Sequence, residues 1–387
     1  MKYVDEFRDP QKAQGLLKDI HRLSQAVIDR RAASQKEQPI KLMEVCGGHT
    51  HAIFKYGLEA ILPDAIELIH GPGCPVCVMP KGRLDDAIAI AEHPDVIFTT
   101  FGDAMRVPGS QKSLLQARAE GADIRMVYSP LDALQIARET PEKSVVFFAI
   151  GFETTAPSTA LTVLQAAAER VENFSLFANH VLVIPALLAL LQNPDLQLDG
   201  FLAPGHVSTV IGTVPYQFIA DQYHKPVVVS GFEPLDILQS IWMALRQLAT
   251  GRRQVENQYS RLAQPAGNPV GLKAINQVFE VRPEFAWRGL GMIPQSGLKL
   301  RADYARFDAE LQFSLPNLTV PDHRACQCGE ILKGALKPWQ CKVFGTACRP
   351  ETPIGACMVS SEGACAAYYR YGRHSAATQV PVAPGRQ

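Results

Sequence analysis

The 387-residue sequence has no excess charge of either sign: 38 Lys+Arg stand against 38 Asp+Glu. That balance argues against a protein that holds nucleic acid on a basic surface, or a membrane through a polybasic segment. A long apolar run is also missing. The most apolar stretch, Val181–Leu191, is too short to span a bilayer and carries Pro185. The opening Met1-Lys2-Tyr3-Val4-Asp5-Glu6 is too charged for a secretory signal, so a cytoplasmic location is expected. No Walker-type glycine loop is present, and any nucleotide site would have to be unorthodox. No cysteine lies between Cys77 and Cys326, and no second Cys-x-x-Cys follows Cys74-Pro75-Val76-Cys77 to complete a paired-knuckle zinc site.

What is there is an ordinary globular composition, 47% hydrophobic and 20% charged, on a chain long enough for roughly two to three domains. The nine cysteines, in a compartment that keeps thiols reduced, read as ligands or reactive groups rather than disulfides. From Ile40 onward short apolar runs alternate with amphipathic stretches. Strands are expected at Lys41–Val45, Ala65–His70, Val96–Thr100, Arg125–Tyr128, Val145–Ile150, Leu176–Ala178, Gly200–Leu202 and Val227–Ser230. Helical spacing separates them, as in Leu84–Glu92, Thr155–Val171 and Pro234–Thr250. Such alternation implies parallel sheets covered by helices. The expected fold class is therefore α/β, with two parallel-sheet domains around a cleft. The expected division is an N-terminal helix (Pro10–Ala33) and linker at 1–39, α/β domains at 40–142 and 143–251, a cysteine-rich third region at 252–372, and a flexible tail at 373–387.

Three constellations carry chemistry. Cys46-Gly47-Gly48-His49-Thr50-His51 directly follows a strand. Its glycines permit a tight turn, and a thiol at the start of a following helix is expected to have a lowered pKa. Thiolate with imidazole suits iron, zinc or copper; the alternative is a buried cysteine and a structural histidine. Gly71-Pro72-Gly73-Cys74-Pro75-Val76-Cys77 also follows a strand. Its Cys74/Cys77 pair can cycle between dithiol and disulfide, or form half of a metal site. Six cysteines crowd into Cys326–Cys365, favouring an iron–sulfur cluster over zinc although the spacings are not those of ferredoxins. Acidic residues recur at strand ends: Glu153 in Ile150-Gly151-Phe152-Glu153, Glu233 in Ser230-Gly231-Phe232-Glu233, and Asp103 in Phe101-Gly102-Asp103. They read either as a shared polar site beyond the sheet or as helix N-caps. His206, in another strand-end turn, is a further candidate, and Trp339 reads as packing over the sulfur centre.

Together, CGGHTH (Cys46–His51), GPGCPVC (Gly71–Cys77), TFGDAMRVPGS (Thr100–Ser110), GFETT (Gly151–Thr155) and the cysteine-rich end resemble the HypD family, accessory proteins that assemble the iron centre of NiFe hydrogenases. The resemblance covers about residues 1–372. The family's Cys-x12-Cys-x6-Cys-x16-Cys pattern falls on Cys328, Cys341, Cys348 and Cys365. It implies these as ligands of a 4Fe-4S cluster and leaves Cys326 and Cys357 as extras. The resemblance further implies a scaffold on which iron gains two cyanides and one carbon monoxide, the Fe(CN)2CO moiety. The partners implied are HypC, a small chaperone whose terminal cysteine shares the iron, and HypE, the cyanide donor. Carried over by motif, Cys46 would hold iron with His49 beside it. Cys74 and Cys77 would be the redox pair, in a cleft also lined by Asp103 and Glu153. The family fold, two α/β domains with a cluster-bearing lid, agrees with the strand–helix alternation.

Two other classes compete. A stand-alone iron–sulfur disulfide reductase would use Cys74 and Cys77 but leave Cys46–His51 idle. A zinc-stabilised interaction protein would bind zinc through the C-terminal cysteines. Colour separates the latter: an anaerobically purified zinc protein is colourless, an iron–sulfur protein brown.

Overall fold

The computed structural model describes residues 5–32, 38–193, 196–315 and 318–372; the tail expected at 373–387 lies outside the described residues. Nine strands build two sheets: β1 (Ile40–Glu44), β2 (Ile66–His70), β3 (Val96–Thr100), β4 (Ile124–Met126), β5 (Ser144–Gly151), β6 (Phe174–His180), β7 (Gly200–Pro204), β8 (Val227–Ser230) and β9 (Val255–Asn257). The first sheet has the order β2-β1-β7-β8-β9 and the second β4-β3-β5-β6. Every neighbouring pair in both is parallel.

Parallel sheets need helical cover on both faces, so their strands are apolar on both sides. In the first sheet Leu42, Leu68, Leu202 and Val228 face the helices Pro10–Ala32 and Pro234–Thr250. Met43, Ile69, Phe201 and Val229 face the opposite core, which also contains the buried cysteines. In the second sheet Val145, Phe147 and Leu176 point one way and Val146, Phe148 and Phe177 the other. Among the described residues no helix is long and apolar enough to cross a membrane.

The α/β class stands, but the sheets do not follow the division at 142/143. After β2 the chain leaves the first sheet, completes β3 to β6 in the second, and returns for β7 and β8. The first sheet is thus assembled from 40–70 and 200–257, and the second from 96–180. The boundary at 251 fails for the same reason, because β9 pairs with β8 at the sheet edge. An apolar run shows that a strand is buried, whereas its neighbour is chosen by long-range packing that local pattern does not record. Beyond β9 come the helix Pro269–Val278 and two antiparallel hairpins, Phe279–Val281 with Leu298–Leu300 and Glu284–Trp287 with Gly291–Pro294. The cysteine-rich segment follows in short turns and ends in the helix Ala364–Tyr371, which packs on the helix Gly47–Lys55.

Phe148 stacks on Phe177 with ring centroids 5.4 Å apart and packs against the tilted ring of Phe98 at 5.8 Å. Phe148→Ala is expected to lower the urea unfolding free energy by about 3–5 kcal/mol; a loss below about 1 kcal/mol would show that this core repacks around the gap.

Candidate functional site

Strand pairing brings the first two motifs together. β1 and β2 run in register, and their last pair is Glu44 with His70. Each strand then turns into a glycine loop bearing a thiol. Gly47 N–H donates to Gly73 O at 3.0 Å. A Cβ on Gly73 would lie 2.2 Å from the Cys46 nitrogen, so only glycine permits the approach. Beneath them Glu44 is fully buried. Its Oε2 accepts the Cys46 N–H at 2.9 Å, while Oε1 accepts from the Thr50 hydroxyl and lies 2.8 Å from His70 Nδ1. His70 Nε2 in turn lies 3.4 Å from Glu59. Burial by itself would push the His70 pKa down, but the Glu44 and Glu59 carboxylates outweigh it and raise it to about 9. His70 is therefore a buried imidazolium held between two carboxylates.

Cys46 opens into a cavity of about 500 Å³ at the carboxyl ends of strands from both sheets, where open α/β sheets place their ligands. Asp103, Phe152 and His206 share its wall, as do Ser360 and Glu362 from the cysteine-rich segment. Desolvation, followed by the charges of Glu362 and Glu44, raises the Cys46 thiol well above its ordinary range. The expected lowering by the helix start does not hold. The backbone N–H groups of Gly48 and His49 do favour the thiolate, but burial and two carboxylates oppose them and win. Charge delivered by a bound cation would reverse that balance.

The other expected site residues divide. Asp103 is at the cavity wall, where its Oδ2 accepts from Ser360 Oγ at 2.7 Å and Oδ1 from Arg106 at 3.1 Å. It ties the second sheet to the cysteine-rich segment. Glu153 is buried next to Phe152: its Oε1 accepts the Val183 N–H at 3.0 Å and its Oε2 has no hydrogen-bond partner among the described residues. Burial raises its pKa to about 7. His49 does not stand in the cavity. Its ring is fully buried, its Nε2 is 3.1 Å from Ser230 O, and it stacks on Phe232 at 4.6 Å. The other side of Phe232 stacks on His206 at 3.9 Å, and His206 is the imidazole that reaches the wall. Glu233 is a helix cap, boxed with Asp236 and paired with Arg8.

Cys74 and Cys77 lie directly under the cavity floor, which Gly73, Pro75 and Val76 line. The Cys74 sulfur accepts the Cys77 N–H at 3.3 Å. Cys77 is within hydrogen-bonding reach of Cys357, and Cys357 of Cys328, which also meets Cys326 and Cys365. A continuous path of free thiols thus runs from the Cys-x-x-Cys pair into the C-terminal cysteines. Cys357, left over by spacing, is the link between them. Its thiol is pulled below the ordinary range by donation from Cys328 and Cys77, while burial and its thiol neighbours push Cys77 up.

Among the described residues no group of three or more His, Cys, Asp or Glu is gathered as a single-ion site. A 4Fe-4S cluster asks for something different, one thiolate on each of four irons. The residues present suit it: Cys328, Cys348 and Cys365 are buried in one apolar core, with Cys341 half-buried at its edge. A Cβ on Gly355 would fall 2.4 Å from Cys326 Sγ and 2.6 Å from Cys328 Sγ, so this cradle too is kept open by a glycine. Trp339 packs on Tyr368 at 4.6 Å beside this core.

Fold and site together define an α/β thiol protein, with one cysteine in a cleft between two parallel sheets and a file of buried sulfurs behind it. A family model named HypD, described as hydrogenase formation hypA family, matches residues 19–372. The sequence is 56% identical to a hydrogenase maturation factor HypD from Rhodobacter capsulatus over 97% of this chain and 100% of that one. It is 54% identical to HypD from Escherichia coli K12 over 96% and 98% of the two chains. Identity to hydrogenase maturation factor HypD2 of Bradyrhizobium diazoefficiens is 55%, over 96% and 97%. The chain belongs to the HypD family of hydrogenase maturation factors.

The buried imidazolium gives a pH test. With its folded pKa raised from 6.5 to about 9, His70 contributes stability that is full below pH 6.5 and lost as pH rises through 9. The urea unfolding free energy of wild type relative to His70→Gln is expected to fall by on the order of 3 kcal/mol over that interval. A difference that is flat with pH would show that His70 is neutral in the fold.

Proposed function

We propose that this chain is the scaffold on which an iron ion, carried as cargo, acquires two cyanides and one carbon monoxide on its way to a NiFe hydrogenase. In this reading it works in the cytoplasm with a HypC-type chaperone that shares the iron and a HypE-type cyanide donor. The supporting observation is the position of Cys46: it is the one thiol on the wall of the cavity, and the Cys74/Cys77 pair lies immediately beneath.

Each group has a distinct task. Cys46 supplies a thiolate to iron, a strong donor that suits the low-spin ferrous state preferred by cyanide and carbon monoxide. His206 on the wall, with His49 behind Phe232, offers the imidazole of the site. Cyanide presented as a thiocyanate on a partner's cysteine needs two electrons to leave as cyanide. Oxidation of the Cys74/Cys77 dithiol to a disulfide supplies both electrons and two protons, so that R–SCN and the dithiol become R–SH, HCN and the disulfide. Cys328, Cys341, Cys348 and Cys365 would hold a 4Fe-4S cluster, which would supply single electrons for return of the disulfide to the dithiol. Cys357 bridges the two sulfur sites and carries that connection.

Infrared spectroscopy of protein purified anaerobically after co-expression with both partners tests the reading. Cyanide and carbonyl stretches are expected in wild type and absent in Cys46→Ala. Cys74→Ala and Cys77→Ala are expected to retain iron but lack the cyanide bands, and full cyanide loading in either variant would remove the dithiol from the scheme. A brown wild type without any such bands would turn the assignment to an iron–sulfur disulfide reductase acting through the same pair.

A further inference from the structure

One buried charge lies outside the roles assigned so far. Arg288 is 4% exposed, and its Nε and Nη2 have no hydrogen-bond partner among the described residues. The carboxylate beside it is Asp322, whose Oδ1 is 3.1 Å from Nε and whose side chain is itself 33% exposed. A guanidinium does not shed its proton on burial, and an ion held out of water without full pairing is costly unless opposite charge is near.

Its backbone fixes where this charge enters the fold. The Arg288 N–H donates to Val78 O at 2.7 Å, one residue past Cys77. The next residue, Gly289, has φ +74, and a Cβ there would lie 2.3 Å from Gly329 Cα, one residue past Cys328. The preceding residue, Trp287, is buried in the same apolar cluster as Cys74, Cys77, Cys328, Cys357 and Cys365. The backbone of Arg288 is therefore set between the redox pair and the C-terminal cysteines, and Asp322, the carboxylate paired with its guanidinium, is close enough for its charge to act on Cys326.

We propose that Arg288 is the charge-compensating residue of this sulfur centre, a fixed cation that favours its reduced form and raises its reduction potential. The inference rests on the 4Fe-4S reading. One electron added to a buried cluster in its 2+ state, with all four thiolates retained, adds one negative charge in a medium of low dielectric. A fixed positive charge close by stabilises that product more than the oxidised form. Arg288 acts through the field rather than by contact with the sulfurs.

The test is an equilibrium redox titration of the anaerobically purified full chain with dithionite, followed by visible absorbance and the electron paramagnetic resonance of the reduced centre. At a fixed solution potential the reduced-to-oxidised ratio in R288Q is expected to fall about tenfold, which is 59 mV for a one-electron couple. R288K keeps the charge and is expected to stay within about threefold of wild type. Equal ratios in R288Q and wild type overturn the proposal. Should R288Q fail to fold, D322N carries the test with the opposite sign, because it removes the competing carboxylate and makes reduction severalfold easier. Unchanged or harder reduction in D322N overturns the proposal as well. A wild type without iron–sulfur absorbance overturns the cluster reading and this inference with it, whereas a cluster whose potential ignores residue 288 overturns the inference alone.

Discussion

The site depends on one strand pair. β1 and β2 lie in parallel register and end together at Glu44 and His70, so that two thiol loops separated by a helical excursion emerge side by side. A slip of β1 by one residue would turn Leu42 and Glu44 together to the opposite face, taking Leu42 from its core and Glu44 from His70. The buried carboxylate–imidazolium pair holds the register at its end, and Glu44 also holds the Cys46 N–H. Set against an apolar pair of the same size a buried ion pair adds little net stability, although removing one partner alone is costly. What it secures here is position. With Cys46 fixed from below and Gly73 pressed against it, the Cys74/Cys77 turn has one place to go, under the cavity floor.

Electrostatics then limit what the sulfurs can do. Cys77, Cys326 and Cys365 are pushed toward the protonated form by burial and by their thiol neighbours, Cys46 by burial and by Glu362 and Glu44, whereas Cys357 is pulled the other way. A buried file of thiols tolerates few negative charges at once. Several thiolates can coexist there only if cationic metal arrives with them or if protons leave together with electrons, as in dithiol oxidation. The arrangement favours coupled chemistry over free thiolate nucleophiles. The Cys46 shift has a separate cause: burial first, then Glu362 and Glu44, outweigh the N–H groups of the helix start.

Much of this was legible in the sequence, for definite reasons. Cys46, Cys74, Asp103 and His206 each follow an apolar run and sit in a glycine-containing turn, the local signature of a strand end, and all four come to the cavity or its floor. The helix at Pro10–Ala32 shows its burial in Ile20 and Val27 at helical spacing. Sheet membership was not legible, because β3 to β6 and the pair β7 and β8 have the same apolar character and differ only in distant partners, while the short β9, Val-Glu-Asn, has no apolar run at all. His49 was misplaced for a related reason. Its neighbours in sequence belong to the loop, but its ring is claimed by Phe232 and Ser230 from β8 and the turn beyond it. Cys357 matches no ligand spacing, and only the fold-back of the C-terminal segment shows its contact with Cys77. Glu44 and His70 did leave a trace, since each is a charged or polar residue closing a largely apolar strand just before a cysteine motif.

The C-terminal segment has two duties that cannot be separated. Cys357 reaches Cys77, Ser360 bonds to Asp103, and Glu362 covers Gly47, where a Cβ would lie 2.4 Å from the glutamate's own Cβ. The Ser361 carbonyl also approaches His51 Nδ1 at 3.3 Å, and Arg106 holds the Val359 carbonyl at 3.1 Å. The stretch that delivers sulfur to the redox pair therefore also forms one wall of the cavity, tied to both sheets by bonds only a few residues apart. The 3-10 turn Ala356–Met358 is packed against Pro75–Val78 on one side and continues within a few residues into Ser360 and Glu362 of the wall on the other. The thiol path and the cavity wall are therefore built from one short stretch of backbone, whose packing under Pro75–Val78 positions both.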